Sequence, residues 1–472
     1  MLRADRLLGG LTLLFCLLAA YGIFNGQQYR AFQLRTLESL RIEESGRLDS
    51  LDGVMRRLEA GDSVQVSPAQ DPRSPAVAGR SVATRWLVLQ PSPLSALAVG
   101  QSDLQPYFVR VATTTRQTAI VNEEIENPVA LLVGRLDMAF VVITLFPLFV
   151  LALTYNVLSA EREQGTMSLI ASQAVSARRI MIAKIAVRAL SVITLAVAVS
   201  VVGALAGGAS LGSADSLARI AWWCAVVLAY GAFWFAAALL VNARGKSSAA
   251  NAVTLLGVWF IFVIAVPSLV SSGIAAAYPV PPRLSLVTVA RQVQDSIAAA
   301  MPRRANALAD YLANHPEYRG SARADTSNPQ VVGIANMNAL ELRLRPVYDE
   351  FDARLHARQD AAELFRFLSP ALAAQNALLD AAGTSTRRFR AFETRWASFH
   401  DEWRAFFNSR VFSGTTMTRA ELSGAPTPSF ASESITQLSA SILPSVLGVL
   451  IPALLLTLLS ARAFNTSPVH HS

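Results

Sequence analysis

Two short motifs in this chain have the residue types of a catalytic or nucleotide-binding site. The stretch "RGKSS" at 244–248 contains Gly-Lys-Ser, but a phosphate-binding loop also needs a glycine where Leu240 stands and a strand before it. The stretch "GASLG" at 208–212 has the Gly-x-Ser-x-Gly spacing of a hydrolase nucleophile, which requires a strand-to-helix turn. Both motifs lie in short connections between apolar runs. We therefore expect neither ATP binding nor nucleophilic catalysis from them.

Histidine and cysteine are too scattered to predict a metal site. His315, His356 and His400 have no paired ligand spacing and no cysteine beside them. Cys16 and Cys224 both fall inside apolar runs, where a disulfide is not expected. We predict that the chain has no catalytic residue, no cofactor and no metal, and that it is not an enzyme.

A different kind of site is indicated by "SAEREQGTMSLIASQAVSARRIMIAK" at 159–184, which separates two apolar runs. Charges of both signs cluster at its start, a Gly-Thr pair offers a turn, and basic residues gather near its end. These residues are Glu161, Arg162, Glu163, Gly165, Thr166, Arg178, Arg179 and Lys184. The residues alone leave two interpretations open: a solvated loop whose basic residues only set the topology, or a short interfacial helix that docks on another protein.

The composition indicates which elements position this segment. Of the 472 residues, 53% are hydrophobic and only 16% are charged, whereas a soluble domain has about 25% charged residues. A helix needs about 20 apolar residues to cross a bilayer. Six runs qualify: Leu7–Phe24, Met138–Leu158, Ile185–Ala206, Leu217–Val241, Ala252–Ala277 and Leu438–Leu459. The first could also be a signal peptide. The pattern predicts an α-helical polytopic membrane protein with six transmembrane helices.

The distribution of charge predicts the orientation of these helices. The formal net charge is +8, and most of the excess lies beside the apolar runs rather than in the large polar segments. Basic residues border both termini, the segment 159–184 and the connection that contains Arg244 and Lys246. Both termini are therefore predicted inside, N-in/C-in. The pattern argues against nucleic acid as a partner. The basic residues are almost all arginine, with Lys184 and Lys246 as the lysines, and together with the high alanine content this suggests a bacterial genome. We therefore expect a multi-pass protein of the bacterial inner (cytoplasmic) membrane.

Two prolines and four charged residues within or beside the spans have candidate special roles. Pro147 in the second span and Pro267 in the fifth are possible helix hinges, and a static kink fits each equally well. The charged residues flank the outer mouths of the second and fourth spans: Arg135 and Asp137 at the second, and Asp215 and Arg219 at the fourth. Charges at span ends more often mark the membrane interface than contact a substrate, so we favour the first interpretation.

Two large segments interrupt the apolar runs and are predicted to be extracytoplasmic. The first starts with an amphipathic helix at 26–60, either a stalk or, as we favour, a helix packed on its own domain. The predicted divisions are span one (1–25), a small mixed α/β domain (26–136), span two (137–158), a cytoplasmic segment (159–184), spans three to five (185–277), a mainly helical domain (278–437), span six (438–461) and a cytoplasmic tail (462–472).

Aromatic residues from Phe389 to Phe407 recur at 3- and 4-residue spacing. This spacing favours a packed core stripe over a ligand-binding face.

The segment 159–184 resembles the cytoplasmic coupling segment of type-2 ABC transporter permeases. The resemblance lies in Glu-Arg-Glu-x-Gly-Thr, in a small residue followed by Val-Ser, and in basic residues before the final lysine. The chain has Ala174 where the family often has proline and Ala183 where it often has glycine. The stretches at 71–79, 93–108, 127–156 and 368–384 resemble a bacterial subgroup with large extracytoplasmic insertions.

This resemblance implies an exporter in which two permeases, identical or homologous, sit in membrane lipid over two separate ATPase subunits that bind the ATP. The eight residues named above would couple the chain to its ATPase, with Glu161, Arg162 and Glu163 as the charged contacts. Arg178, Arg179 and Lys184 would anchor the far end at the anionic membrane surface. Two alternatives remain: an ABC-type mechanotransmission complex that moves an extracytoplasmic partner without translocating a substrate, or a membrane-anchored ligand sensor.

Overall fold

The computed structural model describes residues 2–115, 136–157, 159–165, 177–244, 247–281, 287–289, 291–293, 295–296, 304–321 and 324–466. Six stretches of helix are long and apolar enough to cross a membrane. We call them spans 1 to 6: Gly9–Glu59, Met138–Glu161, Ile182–Ala206, Ala214–Arg244, Ser248–Ala277 and Ile435–Ala463. The prediction of a mainly helical chain with six candidate membrane helices is confirmed. This is the build of a multi-pass membrane protein.

Some spans are single helices and others are interrupted. Spans 1, 3, 4 and 6 lie in the helices Leu2–Glu59, Ala177–Ala206, Ala214–Arg244 and Ile435–Thr466. Spans 2 and 5 each contain a π-helical turn. Span 2 contains Met138–Phe140, the π turn Val141–Leu145 and Phe146–Thr154, and it ends within the short helix Ser159–Glu163. Span 5 consists of Ser248–Trp259, the π turn Phe260–Ala265 and Val266–Ala277.

Spans 2 and 4 form the centre of the bundle. In the most apolar window of each, 61% of the residues are buried, against 11% in span 5. Span 4 supplies the largest buried side chains, Trp223, Tyr230 and Trp234. Gly231 lets span 3 approach closely, because a Cβ there would lie 2.9 Å from the Ile193 side chain. Span 5 presents most of its apolar surface outward.

The large segments contain a two-stranded sheet and several helices. Strand β1 (Arg85–Val88) pairs antiparallel with β2 (Phe108–Val111). We call Pro329–Phe365 the long helix, Pro370–Ala382 the alanine-rich helix and Thr386–Ser413 the aromatic helix. The shorter helical elements are Pro75–Val77, Ala78–Val82, Ser102–Leu104, Arg304–Asn314, Pro316–Tyr318, Arg366–Leu368 and Arg419–Ser423.

The two large segments share one hydrophobic core. Met55 of the first helix and Leu87 of β1 pack together with Phe392 and Trp403 of the aromatic helix. The Trp403 indole N–H donates to the Gly79 carbonyl at 2.9 Å. The buried aromatic residues of the stripe are Phe392, Trp396, Phe399, Trp403 and Phe407, so its interpretation as a core stripe is confirmed. Segments that lie about 300 residues apart in sequence thus form one packed body.

The alanine-rich helix packs inside the end of the bundle, between spans 4 and 6. Ser369 caps its N-terminus by accepting from the Ala371 N–H at 3.1 Å. Gly383 ends it in the left-handed conformation with φ of 70°. Because alanine side chains are small, the helix fits closely among its neighbours. The buried alanines are Ala371, Ala373, Ala374, Ala377, Ala381 and Ala382.

Candidate functional site

The predicted coupling segment begins where span 2 ends. Glu161 and Glu163 lie on the short helix Ser159–Glu163, and the chain turns at Gly165, whose φ is 70°. Thr166 lies outside the described residues. Arg162 and Arg178 lie in helices, but their side chains are outside the described set. Arg179 is exposed on the helix that leads into span 3.

The two carboxylates of this helix have partners on two different spans. Glu161 Oε1 accepts from Lys184 Nζ at 2.5 Å, which ties the segment to span 3. Glu163 accepts from the Ser248 N–H at 2.6 Å and from its hydroxyl at 2.8 Å, which ties it to the N-terminal end of span 5. These two hydrogen bonds hold the pKa of Glu163 below its usual value.

A ring of polar side chains surrounds the end of span 2. The last carbonyls of a helix have no partner within that helix, and here each of three neighbouring spans supplies a donor. We call these donors the collar: Arg188 Nη1 to Leu153 O (2.5 Å), Asn242 Nδ2 to Thr154 O (2.9 Å) and Asn251 Nδ2 to Tyr155 O (3.1 Å). The collar therefore joins span 2 to spans 3, 4 and 5.

The collar and the carboxylate contacts form one network. The hydroxyls of Ser159 and Ser248 are 2.8 Å apart, and Asn251 also donates to the Asn242 side chain at 3.4 Å. Sequence reasoning found the two glutamates and Lys184 but did not find the collar. The signal that could have found it was the presence of Arg188, Asn242 and Asn251 at the edges of apolar runs, where polar residues usually have a specific partner.

Both candidate hinge prolines lie just after a π turn. Pro147 follows Val141–Leu145, and Pro267 follows Phe260–Ala265. A proline has no N–H and clashes with the preceding turn, and a wider π turn accommodates both defects. Each candidate hinge proline therefore lies at an irregular point of its helix. Movement of the helices at these points remains a prediction.

Neighbouring side chains satisfy carbonyls inside both π turns. In span 2, the Tyr230 hydroxyl donates to Ile143 O at 2.9 Å and the Trp259 indole donates to Thr144 O at 3.1 Å. In span 5, the Ser369 hydroxyl donates to Phe262 O. The π turns are thus held by contacts from spans 4 and 5 and from the alanine-rich helix.

Arg219 lies at the opposite end of the bundle and is enclosed by protein, and its interpretation as a marker of the membrane interface stays a prediction. Its side chain is 1% exposed and pairs with Asp215 at 3.0 Å and with Glu433 at 3.3 Å. It also donates to the carbonyls of Asp380 and Ala381 at the end of the alanine-rich helix. The guanidinium faces inward because two carboxylates and a helix C-terminus together compensate its burial.

Two further arginines complete this cluster. Arg387 pairs with Glu433 at 2.8 Å and with Asp380 at 3.4 Å. Arg388 donates to the Gly383 carbonyl at 2.8 Å. Burial, followed by repulsion from Arg219, lowers the pKa of Arg388 to about 10. We call Arg219, Arg387 and Arg388 with their carboxylates the arginine cluster.

Asp137 is also buried rather than placed at an exposed interface. It accepts from the N–H groups of Phe140 and Val99, both at 2.8 Å, so it caps span 2 and fixes the loop before β2 against it. Burial raises the pKa of Asp137.

The histidine, cysteine and acidic side chains of the described residues are possible metal ligands. No group of three or more His, Cys, Asp or Glu there could hold a metal ion. His400 Nε2 lies 2.7 Å from the Thr114 carbonyl, and His315 stacks on Tyr311. A groove of about 330 Å³ runs between the first helix and β1 and is lined by residues such as Leu37, Glu44 and Trp86.

Comparisons with known proteins bear on one part of the chain. Residues 286–431 match a family model described as "Domain of unknown function (DUF3526)". This match covers just under a third of the chain and includes the long, alanine-rich and aromatic helices. No curated protein matches the chain.

Proposed function

We propose that this protein is the membrane-spanning permease subunit of an ATP-driven ABC transporter, an exporter whose ATPase is a separate chain. Two permease copies, or this chain and a homologue, would sit in the bacterial inner membrane with both termini in the cytoplasm. The six candidate spans and the resemblance of residues 159–184 to a coupling segment support this proposal.

The observation that carries the proposal is the set of contacts made by the coupling segment. Glu161 is paired with span 3 and Glu163 with span 5, and the collar joins the end of span 2 to three neighbours. A displacement of residues 159–165 would therefore reach spans 2, 3 and 5 directly, and span 4 through the collar. An ATPase that pushes on this segment would act on most of the bundle.

These contacts change the role that we propose for the two glutamates. The resemblance implies that they contact the ATPase, but each already has a partner within the chain. We propose that they transmit force from the segment to the spans, and that Arg162 and other residues of the segment contact the ATPase.

Charge exchange between Glu161 and Lys184 tests the proposal. The chain is co-expressed with ABC ATPases of the same genome, beginning with any encoded beside it, and co-purification and ATP hydrolysis are measured. Glu161→Lys and Lys184→Glu should each leave the ATPase bound but reduce hydrolysis that depends on the permease. The double variant restores an opposite-charge pair and should recover the permease-dependent ATP hydrolysis.

Two results would contradict the proposal. If no ABC ATPase binds the unaltered chain, the permease assignment fails. If ATPase binding is lost with Glu161→Lys and the double variant does not recover it, Glu161 contacts the ATPase itself and the force-transmitting role is wrong.

A second candidate, mechanotransmission, is favoured by the continuity of the helix Leu2–Glu59. This helix contains span 1 and ends in the core shared by the two large segments, where Met55 is buried. Motion of span 1 would therefore pass to the packed body without an intervening loop. Reconstituted complexes that hydrolyse ATP but move no candidate substrate into vesicles would favour this role over export.

A further inference from the structure

The turn between the long helix and the alanine-rich helix reaches the middle depth of the bundle. Ser369 donates its hydroxyl hydrogen to the carbonyl of Phe262, which lies at the centre of span 5. A Cβ on Gly448, at the centre of span 6, would lie 2.7 Å from the Phe367 ring. These contacts to two spans place residues 367–369 level with the middle of both.

Large apolar side chains at this turn are exposed. We call them the apolar patch: Leu364, Phe365, Phe367 and Leu368, which are 69%, 41%, 48% and 55% exposed. A contiguous patch of this kind marks a surface that contacts something other than water. Because it lies level with the centres of two candidate spans, the surrounding medium at this depth is lipid acyl chain.

Arg366 stands within the apolar patch. Its guanidinium carbon lies 4.8 Å from the centre of the Phe367 ring. Its Nε is buried and has no hydrogen-bond partner. Among the described residues, the guanidinium has neither an ionic nor a hydrogen-bonded partner. This contrasts with Arg219, which has two carboxylates.

An anion would stabilise an unpaired guanidinium at this depth. Arginine stays protonated in proteins, and a charge within the hydrocarbon region is costly unless it is paired or draws polar groups inward. The planar guanidinium fits a phosphate through two parallel hydrogen bonds. The aliphatic side chains beside it would contact the hydrocarbon chains of the same molecule.

We propose that Arg366 and the apolar patch bind an anionic phospholipid of the surrounding bilayer, with its phosphate drawn below the level of the other headgroups. The guanidinium binds the phosphate, while Leu364 and Leu368 lie against the acyl chains. This inference requires only that the spans lie in a membrane, so it does not rest on the proposed coupling to an ATPase.

The test measures which lipid stays bound to the full chain. The protein is reconstituted in nanodiscs that contain equal amounts of phosphatidylglycerol and phosphatidylcholine with the same acyl chains, and bound lipids are counted by native mass spectrometry. The unaltered chain should retain phosphatidylglycerol preferentially. Arg366→Gln should reduce that preference roughly tenfold, because a charge-assisted pair is lost. Arg366→Lys should keep part of this preference, since the positive charge remains but the planar group that forms two parallel hydrogen bonds is lost.

Arg354→Gln is the matched control. It removes the same charge from the long helix, at an exposed position paired with Glu350, and should leave the preference unchanged. Equal preference in the unaltered chain and Arg366→Gln, or an equal loss in Arg354→Gln, would overturn the proposal.

Two further measurements distinguish a lipid site from a small-anion site and from a folding defect of Arg366→Gln. Inorganic phosphate should not displace phosphatidylglycerol, because it makes no apolar contact, and displacement would indicate a small-anion site instead. If Arg366→Gln is not recovered as monodisperse protein, Leu364→Glu replaces it, because its carboxylate would repel the phosphate at an exposed position. Retained preference in Leu364→Glu would then overturn the lipid site.

Discussion

At the two ends of the bundle, different kinds of side chain donate hydrogen bonds to the carbonyl groups of a helix C-terminus. At one end span 2 stops, and at the other the alanine-rich helix stops, and each leaves carbonyl groups without partners in its own helix. The collar satisfies the first set with two asparagines and one arginine. The arginine cluster satisfies the second with guanidinium groups that are neutralised by carboxylates.

The difference indicates how firmly each end is fixed. Neutral amide hydrogen bonds contribute about 1 kcal/mol each, so they can be exchanged at small cost, whereas removal of one partner from a buried ion pair leaves an uncompensated charge. The collar lies beside the proposed coupling segment, and the arginine cluster anchors a helix inside the bundle. The comparison predicts an exchangeable end and a locked end.

The largest effect is expected from Arg219→Ala. This change leaves Asp215 without its guanidinium and Glu433 with Arg387 as its remaining partner, and it removes a donor from the Asp380 and Ala381 carbonyls. It should lower the free energy of unfolding by about 3–5 kcal/mol. Equilibrium unfolding in detergent measures it. Arg354→Ala, which breaks an exposed pair with Glu350, is the control and should cost less than about 1 kcal/mol. Equal losses in the two variants would show that the arginine cluster does not lock the alanine-rich helix.

A smaller effect is expected from Asn242→Ala at the collar. The Thr154 carbonyl loses its donor, and the expected loss is about 1–3 kcal/mol in the same assay. Thr254→Ala is the control, because the Thr254 hydroxyl bonds only a carbonyl of its own helix and is exposed. A loss as large as that of Arg219→Ala would remove the proposed difference between the two ends.

The smallest effect concerns Glu163 and depends on pH. Because its pKa in the folded chain lies below the ordinary value of 4.5, its contacts with Ser248 stabilise the fold above that pH and are lost as the pH falls through the folded pKa. The melting temperatures of the unaltered chain and Glu163→Gln should therefore differ at neutral pH and converge in acid. Ser248→Ala, which keeps the N–H donor, should give a smaller difference. A difference in melting temperature that grows as the pH falls would contradict a stabilising role of the ionised Glu163.

The sequence predicted the spans and the aromatic core because both depend on local spacing. Hydropathy located all six runs, and the 3- and 4-residue spacing of the stripe from Phe392 to Phe407 showed one buried face. The burial of Arg219 was not predicted because a charge at a span end looks the same in the sequence whether it faces water or a distant carboxylate. Its partner Glu433 lies 214 residues away.

The collar escaped prediction for a related reason. Its donors stand out as polar residues at the edges of apolar runs, but its acceptors are backbone carbonyls, which every residue has. The side-chain pattern therefore does not show which carbonyls the donors bind. The internal partners of Glu161 and Glu163 depend on how three spans meet, which spacing along one helix does not determine.

The helix Leu2–Glu59 acts geometrically as a lever arm. At 1.5 Å per residue its 58 residues span about 87 Å, of which a bilayer core takes about 30 Å. A tilt of about 5° in the membrane would carry the far end sideways by roughly 5 Å over an outer arm of roughly 50 Å. The body bonded to that end, through Glu59 and the Arg419 N–H at 2.7 Å, would move the same distance. The same tilt moves one end of the membrane-embedded part by roughly 2.5 Å relative to the other, over about 30 Å, so the outer arm would nearly double that displacement.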